Sequence, residues 1–313
     1  MKKLMALILA VMLLLSLVAC GEETTPAGTD EKPAGEASAE QNDSQTGDLE
    51  IVYLLASVER IPEPGYGSLK RNTMEYDENG NQSHRTTLEY EYTYSYDAEN
   101  RLIGWKRLRK DGTVQEDRTY EYDANGREAK WSYVMGEYTF VYENTYDDQG
   151  NLVRVVCTRN GEAFSEETYA YDAEGRVTEY KGGEHLQYAY EGNRVVATII
   201  EKNGDQYTDS VVEYDENGNL ILEEEYFEGE LTNKCTYTWG ADGKLVSSTD
   251  WSSANEGERQ LAYTYDENGC LTEVVVTEGQ NLAYRKVYTY VQWQGDPQRA
   301  EELRAIEIDE LWQ

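Results

Sequence analysis

An aromatic residue followed by an Asp/Gly turn recurs ten times between Tyr76 and Tyr290, and this repeat limits what the chain can fold into. The clearest copies are Tyr76-Asp-Glu-Asn-Gly-Asn, Tyr122-Asp-Ala-Asn-Gly-Arg, Tyr146-Asp-Asp-Gln-Gly-Asn, Tyr171-Asp-Ala-Glu-Gly-Arg, Tyr214-Asp-Glu-Asn-Gly-Asn and Tyr265-Asp-Glu-Asn-Gly-Cys. Weaker copies begin at Tyr96, Tyr190, Trp239 and Tyr290. Successive rings stand 20, 26, 24, 25, 19, 24, 25, 26 and 25 residues apart, so one supersecondary unit is being repeated. Between these turns lies a second set: Lys110-Asp-Gly, Arg159-Asn-Gly, Lys202-Asn-Gly, Phe227-Glu-Gly, Asn255-Glu-Gly and Thr277-Glu-Gly. Asn-Gly and Asp-Gly pairs supply the positive φ of tight hairpins, so each unit is strand, turn, strand, turn.

The segments between turns alternate with period two. In Leu88-Glu-Tyr-Glu-Tyr-Thr-Tyr-Ser-Tyr96 the tyrosines share one face, and Glu89, Glu91, Thr93 and Ser95 the other. The strand leaving each Asp turn often opens with an aliphatic residue, such as Leu102, Leu152, Val177, Leu220, Leu245 or Leu271, placed to pack beside the ring. The form Y-D-x-x-G-x-L followed by Y-x-Y-D resembles the YD repeats of the RHS family, from Tyr76 to Tyr290. The resemblance implies antiparallel strands wound into a curved sheet, which in large members closes as a shell around a toxin or another domain. This chain departs from that pattern in its longer units, which imply longer strands, and in showing no separate C-terminal toxin domain.

The expected fold is therefore all-β: an antiparallel meander of YD-type hairpin repeats in a curved or spiralling sheet of roughly eighteen strands, tyrosine face inward. Residues 49–291 form this domain. Residues 292–313 form a helical cap, with Asp296-Pro297 opening the helix and Ala300, Leu303, Ile306 and Leu311 on one stripe.

The N-terminus carries different information. Lys2 and Lys3 precede the apolar run Leu4 to Leu15, and Leu17-Val18-Ala19-Cys20 resembles the lipobox of bacterial lipoproteins. The resemblance implies a signal peptide over 1–19 and lipidation of Cys20. Residues 20–48 contain no aromatic residue and no Leu, Ile or Val, so they form a disordered tether. The expected location is the cell envelope, outside the cytoplasm, with the membrane engaged through the lipid anchor.

The formal net charge is −33, and loss of Lys2 and Lys3 takes it to about −35, which excludes nucleic acid as a natural partner. Cys157, Cys235 and Cys270 have no regular spacing and make no disulfide framework; either three reduced thiols or one pair with a third left over fits them. His84 and His185 each stand alone, and no carboxylate pair is singled out, so no catalytic residue is assigned and the chain is not read as an enzyme. The Asp-x-Asn-Gly segments return to a strand before a distal Glu could complete a calcium loop, so neither a metal nor a cofactor is assigned. Trp105, Trp131 and Trp251 fall outside the repeated ring position and are the candidate exposed binding residues. The expected function is a surface binding or interaction scaffold for an unknown protein or polysaccharide, with a carbohydrate-binding module as the alternative.

Overall fold

The computed structural model describes residues 49–304 except 66, 255 and 256. The signal peptide, Cys20, the tether, Ile306 and Leu311 lie outside the described residues.

Twenty strands follow one another as hairpins. The first five are β1 (Glu50–Pro62), β2 (Lys70–Tyr76), β3 (Gln82–Thr86), β4 (Tyr90–Tyr96) and β5 (Leu102–Arg109). Next come β6 (Val114–Tyr122), β7 (Glu128–Met135), β8 (Tyr138–Tyr146), β9 (Leu152–Arg159) and β10 (Glu162–Tyr171). The second half opens with β11 (Val177–Lys181), β12 (His185–Glu191), β13 (Arg194–Ile200), β14 (Gln206–Tyr214) and β15 (Leu220–Phe227). It ends with β16 (Glu230–Trp239), β17 (Leu245–Ser252), β18 (Glu258–Tyr265), β19 (Leu271–Glu278) and β20 (Asn281–Gly295), followed by the helix α1 (Pro297–Arg304).

Each strand pairs antiparallel with the next, and β1 also pairs with β20, so the meander closes into a barrel. This corrects the expected curved or spiralling sheet. The eighteen strands from β3 to β20 are those the nine ring intervals require. Closure comes from β1, a strand outside the repeat, which runs antiparallel to β20 through twelve register pairs from Glu50↔Gly295 to Pro62↔Tyr284. Accumulated right-handed twist brings the ends of so many strands together, and pairing them removes both exposed edges.

The Asp residues fold their turns as Asx-turns. Asp123 Oδ1 accepts the backbone N–H of Asn125 at 2.8 Å and of Arg127 at 2.9 Å, and Oδ2 accepts Arg127 Nε at 2.8 Å. Asp77, Asp147 and Asp215 repeat this with Asn81, Asn151 and Asn219 as the fourth residue. Asn100 takes the glycine position of the weak copy at Tyr96, with φ of 60°. After each of the clear copies the register shifts by one residue, as between Glu121 and Tyr122.

The repeated rings end the ladders. Pairing of β5 with β6 stops at Gly104↔Thr119, leaving the Leu102 carbonyl beyond the ladder, and the Tyr122 hydroxyl donates to it at 2.7 Å. Tyr76, Tyr146 and Tyr171 make the same bond to Leu55, Glu128 and Leu152, each at 2.7 Å. Tyr96, Tyr190, Tyr265 and Tyr290 do likewise, and Trp239 donates its indole N–H to Leu220. Tyr214 differs: the tight turn before β13 lets that ladder run to Arg194↔Glu213, and the Tyr214 backbone N–H takes the Asn193 carbonyl.

α1 closes one rim. Asp296 Oδ1 caps it by accepting the Arg299 backbone N–H at 2.8 Å. Ala300 and Leu303 are buried against Val52 and Leu54, on the half of β1 that extends past β2. Arg299 Nε donates to the Asn79 carbonyl at 2.9 Å, and Trp293 Nε1 to that of Glu78 at 3.0 Å, tying the helix end to the β2–β3 turn. No described helix is long and apolar enough to cross a membrane. Cys157 is buried and Cys235 half-buried, and both are free thiols.

Candidate functional site

Cross-strand partners share a face, so the register shows what lines the barrel. One rung runs Tyr94, Trp105, Arg118, Tyr133, Phe140, Arg159 from β4 to β9. A neighbouring rung runs Met74, Arg85, Tyr92, Arg107, Glu116. Met74, Glu116 and Phe140 are buried here, while Thr93, Thr119, Glu121 and Thr139 on the other face are exposed, so the rungs form the inner wall. The expected inward tyrosine face is what the register gives. Outside, the wall is polar, with ion pairs Lys106–Asp117 and Arg154–Glu166 at 2.7 Å.

Trp105 and Trp131 were expected to be exposed; the structure makes both half-buried members of the inner wall. Trp131 stacks on Tyr142 with centroids 3.9 Å apart, and the Tyr133 ring stacks on Phe140 at 4.8 Å. Trp105 donates Nε1–H to the Tyr120 hydroxyl at 3.1 Å. The Arg118 guanidinium joins the two tryptophans, 4.9 Å from the Trp105 ring and 5.2 Å from the Trp131 ring. Trp251 is not with them. Its register partners are Lys234 and Glu258, on the outer face, and it too is half-buried.

The electrostatics of this wall follow from period two only when the register shifts are counted, which the sequence pattern does not show. Glu116, 9% exposed, accepts Arg118 Nε at 2.7 Å and pairs with Arg107 Nη2 at 3.3 Å. Burial disfavours the Arg118 charge, and the bond to Glu116 more than restores it. Arg85 and Arg107 lie over the Tyr92 and Tyr90 rings at 5.0 and 5.2 Å.

The opposite stretch of wall is acidic. Val212, Glu223, Cys235, Asp250, Arg259 and Glu278 form one rung from β14 to β19. Burial raises the Glu223 carboxyl above its ordinary range, and Glu223 accepts the Tyr237 hydroxyl at 2.5 Å. Burial, then Asp250 and Glu223, push the Cys235 thiol up to about 11, which keeps it protonated and non-nucleophilic at neutral pH. His185 sits on the outer face against Glu179 Oε1 at 2.7 Å.

The two rims differ. The Asp turns lie at the rim that β1 enters and β20 leaves. The far rim, formed by the second turn series, exposes Leu69, Leu88, Val114, Met135, Phe164 and Phe227. There the short β11–β12 hairpin leaves a cleft of about 480 Å³ lined by Lys181, Gly182, His185, Tyr207, Tyr226 and Phe227 among others. Tyr207 and Phe227 flank turns of the second series, where the repeat pattern marks the glycine and not the ring beside it.

Residues 146–185 match the RHS Repeat family. No curated protein matches the chain. Among solved structures it is similar to TcdB2-TccC3 without hypervariable C-terminal region, at 14% identity and a TM-score of 0.32, over 68% of this chain and 15% of that one. The chain thus spans far less than two thirds of that protein. It is similar as well to a porin-like protein from Bacteroides uniformis, at 10% identity and a TM-score of 0.35, over 76% of this chain and 98% of that one. A porin-like protein from Bacteroides vulgatus gives 10% identity, a TM-score of 0.31 and coverages of 76% and 99%. The repeat resemblance carried by the residues thus extends to a family match over Tyr146 to His185.

Proposed function

We propose that this protein is a binding scaffold of the cell envelope, held by a lipid on Cys20 and presenting its far rim to a protein partner. The observation that carries the proposal is the asymmetry of the two rims. β1 begins at Glu50, at the Asp-turn rim, so a tether over 20–48 fastens that rim to the membrane. The far rim then faces away from the membrane, with its exposed Leu, Val, Met and Phe side chains in solvent.

A wall embedded in lipid would need an outward apolar band, and ion pairs such as Arg154–Glu166 on the outer face support a barrel standing in water. The test combines surface accessibility with partner capture by cross-linking on whole cells. Met135→Asp with Phe227→Asp should abolish cross-linked products while leaving the melting temperature unchanged, and Cys20→Ala should release the protein from the membrane fraction. Undiminished cross-linking in the double variant would overturn the far-rim reading.

A further inference from the structure

We propose that the inner wall around Arg107 and Arg118 is a binding site for a carboxylated, uronic-acid-containing oligosaccharide. This stands on the inner wall alone and does not depend on the far-rim reading.

The first ground is charge. In a chain of net charge −33, the inner faces of β3 to β9 carry Arg85, Arg107, Arg118 and Arg159. Two carboxylates stand by Arg107 and Arg118: Glu116 pairs with both, and Glu128, whose carboxyl burial pushes above its ordinary range, feels the Arg118 charge. Two carboxylates, one of them disfavoured by burial, against the four guanidinium groups of Arg85, Arg107, Arg118 and Arg159 leave the inner faces of β3 to β9 with a positive excess, and the Arg107 and Arg118 side chains are only 34% and 31% exposed. Partly desolvated like charges repel, so an anion docking here gains more than one meeting the outer surface.

The second ground is an unmet donor. Arg107 Nε is buried and has no hydrogen-bond acceptor, although its Nη2 is paired with Glu116. A guanidinium edge in that state suits a planar carboxylate, which accepts two parallel N–H bonds.

Third, the cations are interleaved with rings. Tyr92 and Trp105 flank the two arginines along the rungs, and Trp131, one rung over, has its ring 5.2 Å from the Arg118 guanidinium. A bare inorganic anion would draw nothing from them, whereas the C–H faces of a pyranose pack on aromatic faces beside the carboxylate it carries. Access is available because a barrel of this many strands encloses a lumen, and among the described residues each ring pair or core cluster stays within a run of at most five consecutive strands. The acidic rung through Glu223 and Asp250 opposes a densely charged polymer such as nucleic acid, whose every residue bears a phosphate.

Calorimetry on the full-length protein in detergent micelles tests the proposal, with a hexauronate as the probe. The comparison ligands are a neutral hexasaccharide, a single-stranded oligonucleotide and inorganic sulfate. The hexauronate should bind, and Arg107→Gln and Arg118→Gln should each weaken it at least tenfold, with affinity falling as salt rises. Arg154→Gln, the same charge change on the outer face, should leave binding as it was. Arg118→Lys keeps the charge but not the fork and should recover only part of the loss; with melting curves, it separates a binding defect from misfolding. The proposal is overturned if the hexauronate does not bind, or if Arg154→Gln costs as much as the inner variants. It is equally overturned if the neutral sugar or the oligonucleotide binds at least as well, or if sulfate competes at equal concentration.

Discussion

Tyr122 and Tyr214 hold the same place in their units but meet different backbones. The Tyr122 hydroxyl satisfies the Leu102 carbonyl that its ladder leaves over, while the ladder beside Tyr214 runs on to the turn and takes the equivalent group itself. Removing a hydrogen-bond donor from a part-buried carbonyl costs about 1 kcal/mol. Tyr122→Phe should therefore lose about that much in urea denaturation, and Tyr214→Phe should lose markedly less. Equal losses would mean that the hydroxyl bond is not what distinguishes the two rings. Period two in the sequence shows the ring, but its acceptor depends on where a strand pair stops, which no local pattern records. The same limit explains the tryptophans. Trp105 is three residues past Leu102, so simple alternation puts it outside; the register shift beside Tyr96 turns both residues inward. Trp251 is six residues past Leu245, and the shift beside Trp239 inverts its parity in the opposite sense.

At the scale of the element, the Asp turns make stability depend on pH. The Arg127 backbone N–H, then its guanidinium, hold Asp123 below the ordinary carboxylate range; at Asp147 and Asp215 the largest cause is the side-chain amide of Asn151 and Asn219. A carboxyl whose pKa is lower in the folded state binds its proton first in the unfolded chain. Its contribution is complete above the unfolded value, about 3.9, and is lost as pH falls through the folded one. The melting temperature should accordingly be flat near neutrality and drop below about pH 4, and Asp123→Asn with Asp147→Asn should make the drop shallower. An unchanged acid profile in that double variant would assign acid sensitivity to other carboxylates. The helix element was legible from Asp296-Pro297 and the Ala300/Leu303 spacing, both of which act as expected. Leu303, 2% exposed, plugs the rim beside Val52, so Leu303→Ala should cost about 2–5 kcal/mol, measured by denaturant melts. A cost below 1 kcal/mol would mean that the cap does not support the seam.

For the whole molecule, the decisive strand is the one the repeat does not announce. Glu50-Ile-Val-Tyr-Leu-Leu-Ala-Ser-Val-Glu-Arg-Ile-Pro62 has no Asp turn, no repeated ring and no unit spacing, so counting units gives a sheet without giving its closure. The structure spends this strand on two neighbours. It pairs with β20 along its whole length and with β2 over Ser57 to Arg60, and it buries Val52, Leu55 and Val58 to 8% exposure or less. Leu55 and Val58 join Met74 from β2, and Val274, Val276 and Tyr288 from β19 and β20, in one apolar cluster, so closure rests on packing as well as on backbone bonds. If closure holds the molecule together, a chain lacking 1–62 has two unpaired edges, β2 and β20, each a template for pairing with another chain. That variant should form oligomers or aggregate on gel filtration, while one lacking only 1–48 stays monomeric with the melting temperature of the full chain. Both lack residues 1–48, so the comparison isolates the strand. A monomeric variant without 1–62, equal in melting temperature to its control, would restore the open spiral that the repeat alone suggests and remove the lumen on which the inner-wall site depends.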